Sequence, residues 1–171
     1  MVIEDESILI PEEKDYIKNV ILGENIPFYW MKESVAGEFG EPCFTHTLIH
    51  RDTQEIHSEH ADFFKKIAKR FADRHKIPCN VFLRGCINLT CPQPQLAKSA
   101  AHVDHDFPHY QFLLHLNKSN GGSTFILDSK KKVIKTIKPK QFRGFGFKGG
   151  PSHYMTFPKS GRRVVAVLTF I

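Results

Sequence analysis

The spacing of apolar positions along the chain changes once, near Pro78. Before that point it is helical. Pro11-Glu12-Glu13 opens a segment with Tyr16, Ile17, Val20 and Ile21 on one side, closed by Gly23. An early proline, early acids and a glycine just past the end are helix boundary signals, which predicts a helix over about 11–22. Ser58 precedes a stronger pattern. Phe63, Phe64, Ile67, Ala68 and Phe71 recur at helical spacing, with Lys65, Lys66, Lys69 and Arg70 largely opposite, so a second helix is expected over about 59–75.

After Pro78 the period falls from 3.6 to 2 and turn residues arrive at short intervals. Strands are predicted over 80–90, 110–117, 123–127, 133–137, 144–147, 153–157 and 163–171, separated by turns such as Ser119-Asn120-Gly121-Gly122 and Ser160-Gly161. Many short strands after two helices suggest a mainly β fold with flanking helices (α+β), a jelly roll or sandwich braced on one face. No repeat, low-complexity tract or proline-rich linker interrupts the 171 residues. A single domain over 1–171 is expected, with helical support over about 1–78 and a β core over about 79–171.

Composition narrows the classes. With 41% hydrophobic and 25% charged residues the chain has the balance of an ordinary globule, and no run approaches the roughly 18 apolar residues of a membrane span. The acidic start, Met1-Val2-Ile3-Glu4-Asp5-Glu6, lacks the basic and apolar regions of a secretory signal, which makes the cytoplasm the expected compartment. Cys43, Cys79, Cys86 and Cys91 contain no CxxC pair and read as free packing thiols. The net charge of +6 is uneven: between Lys130 and Lys148 lie eight Lys or Arg and no acid, whereas Glu4 to Glu41 is mostly acidic. Lysines in a strand-rich segment protect a sheet edge more often than they bind nucleic acid, although the charge does not exclude that partner.

Candidate chemistry starts from H-x-D triplets. His60-Ala61-Asp62 falls on the second predicted helix, where positions two apart point about 200° away from each other and cannot share an ion. His102-Val103-Asp104 falls where the chain is extended. There, alternate side chains project from one face about 7 Å apart, a separation that side chains can close onto one metal. His153, 51 residues downstream and preceded by Gly149-Gly150-Pro151, supplies a third ligand. Two histidines and one carboxylate leave coordination positions open and suit non-haem Fe(II).

On these residues the chain resembles the Fe(II)/2-oxoglutarate-dependent dioxygenases. The likeness is to their compact prolyl-4-hydroxylase-like branch and to small members encoded by bacteriophages of photosynthetic bacteria. His102-Val103-Asp104 looks like the family HxD. Leu114-His115-Leu116-Asn117 followed by Gly121-Gly122-Ser123-Thr124-Phe125 looks like its "Y-L-N … G-G-x-T" strand pair. His153 and Gly161-Arg162-Arg163 look like the distal histidine and the basic residue about ten positions after it. The resemblance covers about 80–171, with a weaker echo in Ile26-Pro27-Phe28-Tyr29-Trp30.

The resemblance implies a double-stranded β-helix with Fe(II) held by His102, Asp104 and His153, dioxygen and 2-oxoglutarate as cosubstrates, and hydroxylation of a C–H bond coupled to formation of succinate and CO2. The distal carboxylate of 2-oxoglutarate would need a buried cation. Strand parity leaves both faces of 163–171 apolar and does not choose between Arg162 and Arg163. The family spacing selects Arg163. Family members often carry a tyrosine where His115 stands, and a histidine can still donate there. Asn88 could hydrogen-bond the cosubstrate or be a buried structural amide, and Tyr110 could line the pocket or fill the core. By resemblance a peptidyl-prolyl residue, and hence a peptide or protein partner, leads as substrate. A nucleobase demethylase comes second, because Arg162-Arg163-Val164-Val165-Ala166-Val167 lacks that branch's signature. A jelly-roll or cupin-like protein without oxygenase activity is the rival from another class.

Overall fold

The computed structural model describes residues 2–32 and 41–171. In chain order it contains strand β1 (Val2–Asp5), helix α1 (Pro11–Tyr16) running into a π-helical turn (Ile17–Ile21), strands β2 (Tyr29–Met31) and β3 (Cys43–Ile49), and helix α2 (Ala61–Arg74). Strands β4 (Phe82–Thr90), β5 (Tyr110–His115), β6 (Asn120–Gly121), β7 (Thr124–Leu127), β8 (Val133–Ile137), β9 (Gly144–Lys148), β10 (His153–Met155), β11 (Pro158–Ser160) and β12 (Arg163–Phe170) follow. The fold is mainly β with few helices. Seven strands form one antiparallel sheet in the order β1-β9-β5-β12-β4-β3-β2, β10-β7-β8 form a smaller one, and β11 pairs with β6.

The large sheet has two covered faces. Ile87 on β4, Phe112 and Leu114 on β5, and Val164, Ala166, Leu168 and Phe170 on β12 pack with Phe64, Ile67, Ala68 and Phe71 of α2. The alternate residues Cys86, Leu113, Val165 and Val167, with Phe145 and Phe147 of β9, pack instead with Ile126 and Ile137 of the small sheet. Every residue of β12 is therefore buried, which is why its sequence shows no in–out alternation.

Several expectations change. The predicted helix over 11–22 is two pieces: Leu22 N–H donates to the Ile17 carbonyl at 2.9 Å, a five-residue step that turns both Ile17 and Ile21 into the core. Helix α2 starts at Ala61, with His60 in the capping position, and the Ser58 hydroxyl two residues earlier accepts the His60 N–H at 3.1 Å. The first 78 residues are more than helical support, since β1 forms one edge of the large sheet and β2 and β3 form the other. Those strands escaped the periodicity analysis for physical reasons: β2 is exposed at all three residues, and β1 is a four-residue strand carrying two acids. The basic segment is partly paired. Lys135 and Arg143 each reach Glu4 at 2.8 Å, and Lys140 reaches Glu6 at 2.6 Å, so acidic β1 and its flank lie against it. Glu33 and Glu38 of the acidic stretch lie outside the described residues. The four cysteines are free thiols. No described helix is long and apolar enough to cross a membrane.

Candidate metal centre and its cavity

His102 and His153 are brought together by their own backbones. His102 N–H donates to the His153 carbonyl at 3.0 Å and His153 N–H returns the bond at 2.9 Å, forming a narrow antiparallel bridge that sets the two rings 4.5 Å apart. Asp104, two residues on, completes the group: one candidate ligand atom from each of His102, Asp104 and His153 lies within 4.8 Å of the others. Among the described residues no other set of three such side chains gathers this way. His102 Nδ1 donates to the Ala100 carbonyl at 3.2 Å, which leaves Nε2 as the lone-pair nitrogen for a metal.

The electrostatics favour a cation. Burial by itself would raise the Asp104 carboxyl, but Arg84, then His153, His102 and Arg51 outweigh it and hold the group below the ordinary carboxylate range. Burial pushes His153 down to about 4, against the opposing pull of Asp104. An ionised carboxylate beside a neutral imidazole is the state in which both donate to a metal. His60 and Asp62 are engaged elsewhere: His60 Nδ1 meets the Tyr16 hydroxyl at 2.7 Å and Asp62 pairs with Lys65 at 2.9 Å.

The three residues line a cavity of about 540 Å³ whose wall includes Arg163, Asn88, Arg84 and Arg51. Arg163 is buried at the first position of β12, facing inward opposite Thr90. Its Nε donates to the Gly122 carbonyl at 2.9 Å and its Nη2 to Thr124 Oγ1 at 3.2 Å. No carboxylate among the described residues pairs with it. Burial lowers it to about 10, so it remains cationic at neutral pH, a buried charge without a counter-charge. Arg162 is exposed. Gly122, at φ +87°, does more than turn the chain: a Cβ there would lie 2.6 Å from Arg163 Cδ.

His115 lies on the cavity face of β5, opposite Val165. It is buried and both its ring nitrogens lack a partner. Burial first, then the charges of Arg163 and Arg143, push it down to about 2, so it is a neutral imidazole. Asn88 lines the cavity and its Oδ1 accepts from the Thr45 hydroxyl at 3.0 Å. Tyr110 turns to the other face, packing on Phe170 in the helix-side core with ring centroids 6.1 Å apart.

Sequence reasoning missed Arg84 and Arg51. Arg84 Nη1 donates to Asp104 Oδ1 at 2.8 Å, while Arg51 grips the Asp104 backbone carbonyl through Nη1 and stands 3.5 Å from Oδ1 through Nη2. Strand parity puts Arg84 on the face of Asn88, a signal available once that face was chosen. Arg51 sits in a turn and had no such signal. It is the middle residue of a third H-x-D triplet, His50-Arg51-Asp52, in which Asp52 N–H points at His50 Nδ1 at 3.4 Å.

No family model and no curated protein matches the chain. Solved structures do. An oxidoreductase of the 2OG-Fe(II) oxygenase family from Burkholderia pseudomallei superposes with a TM-score of 0.78 at 11% identity, over 99% of this chain and 84% of its own. A Pseudomonas putida prolyl-4-hydroxylase gives 0.62 at 14% identity, over 99% and 91%. A prolyl hydroxylase from Trichoplax adhaerens, in complex with a hypoxia inducible factor peptide fragment, gives 0.64 at 12%, over 99% and 83%. The chain thus shares the fold of 2-oxoglutarate- and Fe(II)-dependent oxygenases.

Proposed function

We propose that the protein is an Fe(II)/2-oxoglutarate-dependent dioxygenase, built on a double-stranded β-helix, that hydroxylates a C–H bond. The observation that carries this reading is Arg163: a buried guanidinium with no acid beside it among the described residues, in the same cavity as a two-histidine, one-carboxylate cluster. A metal site alone would not need that cation, and a structural sandwich would need neither.

The side chains fit both groups. His102, Asp104 and His153 provide a facial donor set suited to Fe(II) with positions left open. Arg163 and Thr124 offer N–H and O–H donors for a distal carboxylate, while neutral His115, on the same face of the sheet and close enough to Arg163 to feel its charge, lies outside the cavity lining. When bound, Fe(II) and 2-oxoglutarate supply the oxidising chemistry, consuming dioxygen, releasing succinate and CO2 and converting C–H to C–OH. The chain's part is orientation. Arg84 holds one oxygen of Asp104 so that the other, Oδ2, faces His153 Nε2 at 3.7 Å. Leu113 and Val167 give part of the cavity wall an apolar surface. A prolyl residue of a peptide is the substrate we favour, supported by the prolyl hydroxylases among the structural neighbours.

Anaerobic addition of Fe(II) and then 2-oxoglutarate tests the reading, through the weak visible charge-transfer band of a bidentate keto-acid complex. The band should form with the native protein and fail with His153→Ala. Its absence in the native protein would refute the assignment.

A further inference from the structure

We infer that Arg51 and Arg84 form an anion subsite that holds a carboxylate of the substrate beside the metal centre. The inference rests on the oxygenase reading and adds a substrate class to it.

The first observation is position. On β12, Thr169 lies opposite Arg84 and Arg163 lies opposite Thr90. Six residues of strand, about 20 Å of backbone, therefore separate the Arg84 end of this wall from the Arg163 end. The distal carboxylate of a cosubstrate anchored at Arg163 therefore lies at the other end of this wall from Arg84, whose guanidinium is held at Asp104. The second is charge. Among the described residues lining the cavity, Arg51, Arg84 and Arg163 are cationic and Asp104 alone is anionic. A divalent metal and doubly charged 2-oxoglutarate cancel one another, so the loaded cavity keeps two positive charges more than negative ones. A neutral substrate would leave that surplus intact in a partly desolvated space.

The third observation is donor geometry. Both guanidiniums converge on a single oxygen, Asp104 Oδ1, on the side away from His153. Each carries five N–H donors in a planar fork. Arg84 commits only Nη1 to that carboxylate, and Arg51 holds its oxygen at the outer limit of hydrogen bonding, 3.5 Å. Arg51 is also half-exposed, reaching inward from its turn, where it can follow an arriving ligand. Two planar donors already straddling one carboxylate oxygen are suited to bridge a second carboxylate. If the pair served only to orient Asp104, it would carry no preference among substrates.

The test uses protein loaded anaerobically with Fe(II) and 2-oxoglutarate, loading being confirmed by the visible band. Calorimetric titration then compares N-acetylproline with N-acetylprolinamide, for a terminal carboxylate, and acetyl-Pro-Glu-amide with acetyl-Pro-Gln-amide, for a side-chain one. The acid of at least one pair should bind about ten-fold more tightly than its amide. That ratio should fall below about three-fold in Arg51→Gln and in Arg84→Gln and be partly kept in Arg51→Lys. Because the ratio is taken within one protein, a general loss of metal affinity in a variant cancels. Arg51 stands in an exposed turn, so its variants test the idea even where Arg84→Gln folds poorly. Equal binding of acid and amide in both pairs, no binding by any member, or a ratio unchanged in the Arg51 variants would overturn the subsite while leaving the oxygenase reading intact. Failure of the loading band would defeat that reading, and the subsite with it.

Discussion

The two faces of the large sheet are made from the same strands and obey opposite rules. On the helix side, β4, β5 and β12 present Ile87, Phe112, Leu114, Val164, Ala166 and Leu168 to α2, an apolar interior. One residue along in each strand, the cavity side presents Arg84, Asn88, His115 and Arg163. There no carboxylate among the described residues pairs with Arg163, and the ring nitrogens of His115 have no hydrogen-bond partner. Buried groups left this way cost stability. The apolar helix face offsets that cost.

The sharpest break in this comparison is at the metal cluster. His102→Ala, Asp104→Ala and His153→Ala should each abolish turnover and weaken Fe(II) or Mn(II) binding, whereas His60→Ala, whose imidazole partners Tyr16, should keep metal affinity. Equilibrium dialysis of the four variants decides it. Equal loss in the His60 variant would mean that the cluster has been assigned to the wrong triplet.

The next two substitutions should separate along the faces. Phe71→Ala removes a fully buried ring that sits 4.8 Å from Phe112 and should cost about 3–5 kcal/mol in chemical denaturation, while the folded fraction keeps its 2-oxoglutarate affinity. Gly122→Ala should do the reverse. Its Cβ would meet Arg163 Cδ at 2.6 Å, from a backbone at φ +87° that disfavours alanine. Displacing the guanidinium should raise the apparent KM for 2-oxoglutarate about ten-fold, matching Arg163→Ala, because a charge-assisted contact contributes about 1.5–3 kcal/mol. Arg162→Ala should change it little. A steady-state cosubstrate titration that ranked Arg162→Ala above Arg163→Ala would place the anchor on the wrong arginine.

How much of this was legible in the sequence follows from how local each signal is. Helix α2 announced itself because Phe64, Ile67, Ala68 and Phe71 repeat at 3.6 over a long stretch. The cluster was legible because the reading of 102–104 as extended chain put both side chains on one face, although in the structure His102 forms only an isolated bridge with His153 and Asp104 lies in a bend. Strand β12 offered no face at all, its eight residues being buried on both sides, so the inward placement of Arg163 rested on spacing from His153 and Gly161. Arg51 was out of reach. It arrives at Asp104 only because β3 pairs with β4, and that pairing depends on contacts such as Thr45 to Asn88, 43 residues apart, that periodicity does not encode. The echo around Tyr29 and Trp30 falls on an edge strand exposed at every residue, where side-chain pattern carries no information about pairing.

At neutral pH the weakest lever is His115, whose effect emerges only through acid stability. Its imidazole is held near 2 by burial and by the neighbouring arginines, whereas in the unfolded chain it titrates near the ordinary value of about 6.5. Above that value both states are neutral and pH has no leverage through this group. Below it the unfolded chain binds a proton that the folded protein refuses, so stability falls as pH drops, by up to about 1.4 kcal/mol per pH unit. His153, pushed down to about 4, contributes in the same direction only until its own folded-state value is reached. His115→Gln keeps a hydrogen-bonding side chain without the titration. Urea unfolding at pH 7, 6, 5 and 4 should show the native protein losing stability through this range. In the variant the loss should be shallower by about one proton's worth in the linkage slope. Parallel curves for the two proteins would show that the ring takes up its proton in the fold as readily as in the unfolded chain, and then below about pH 6.5 the cavity face would carry one more positive charge beside Arg163 than its burial implies.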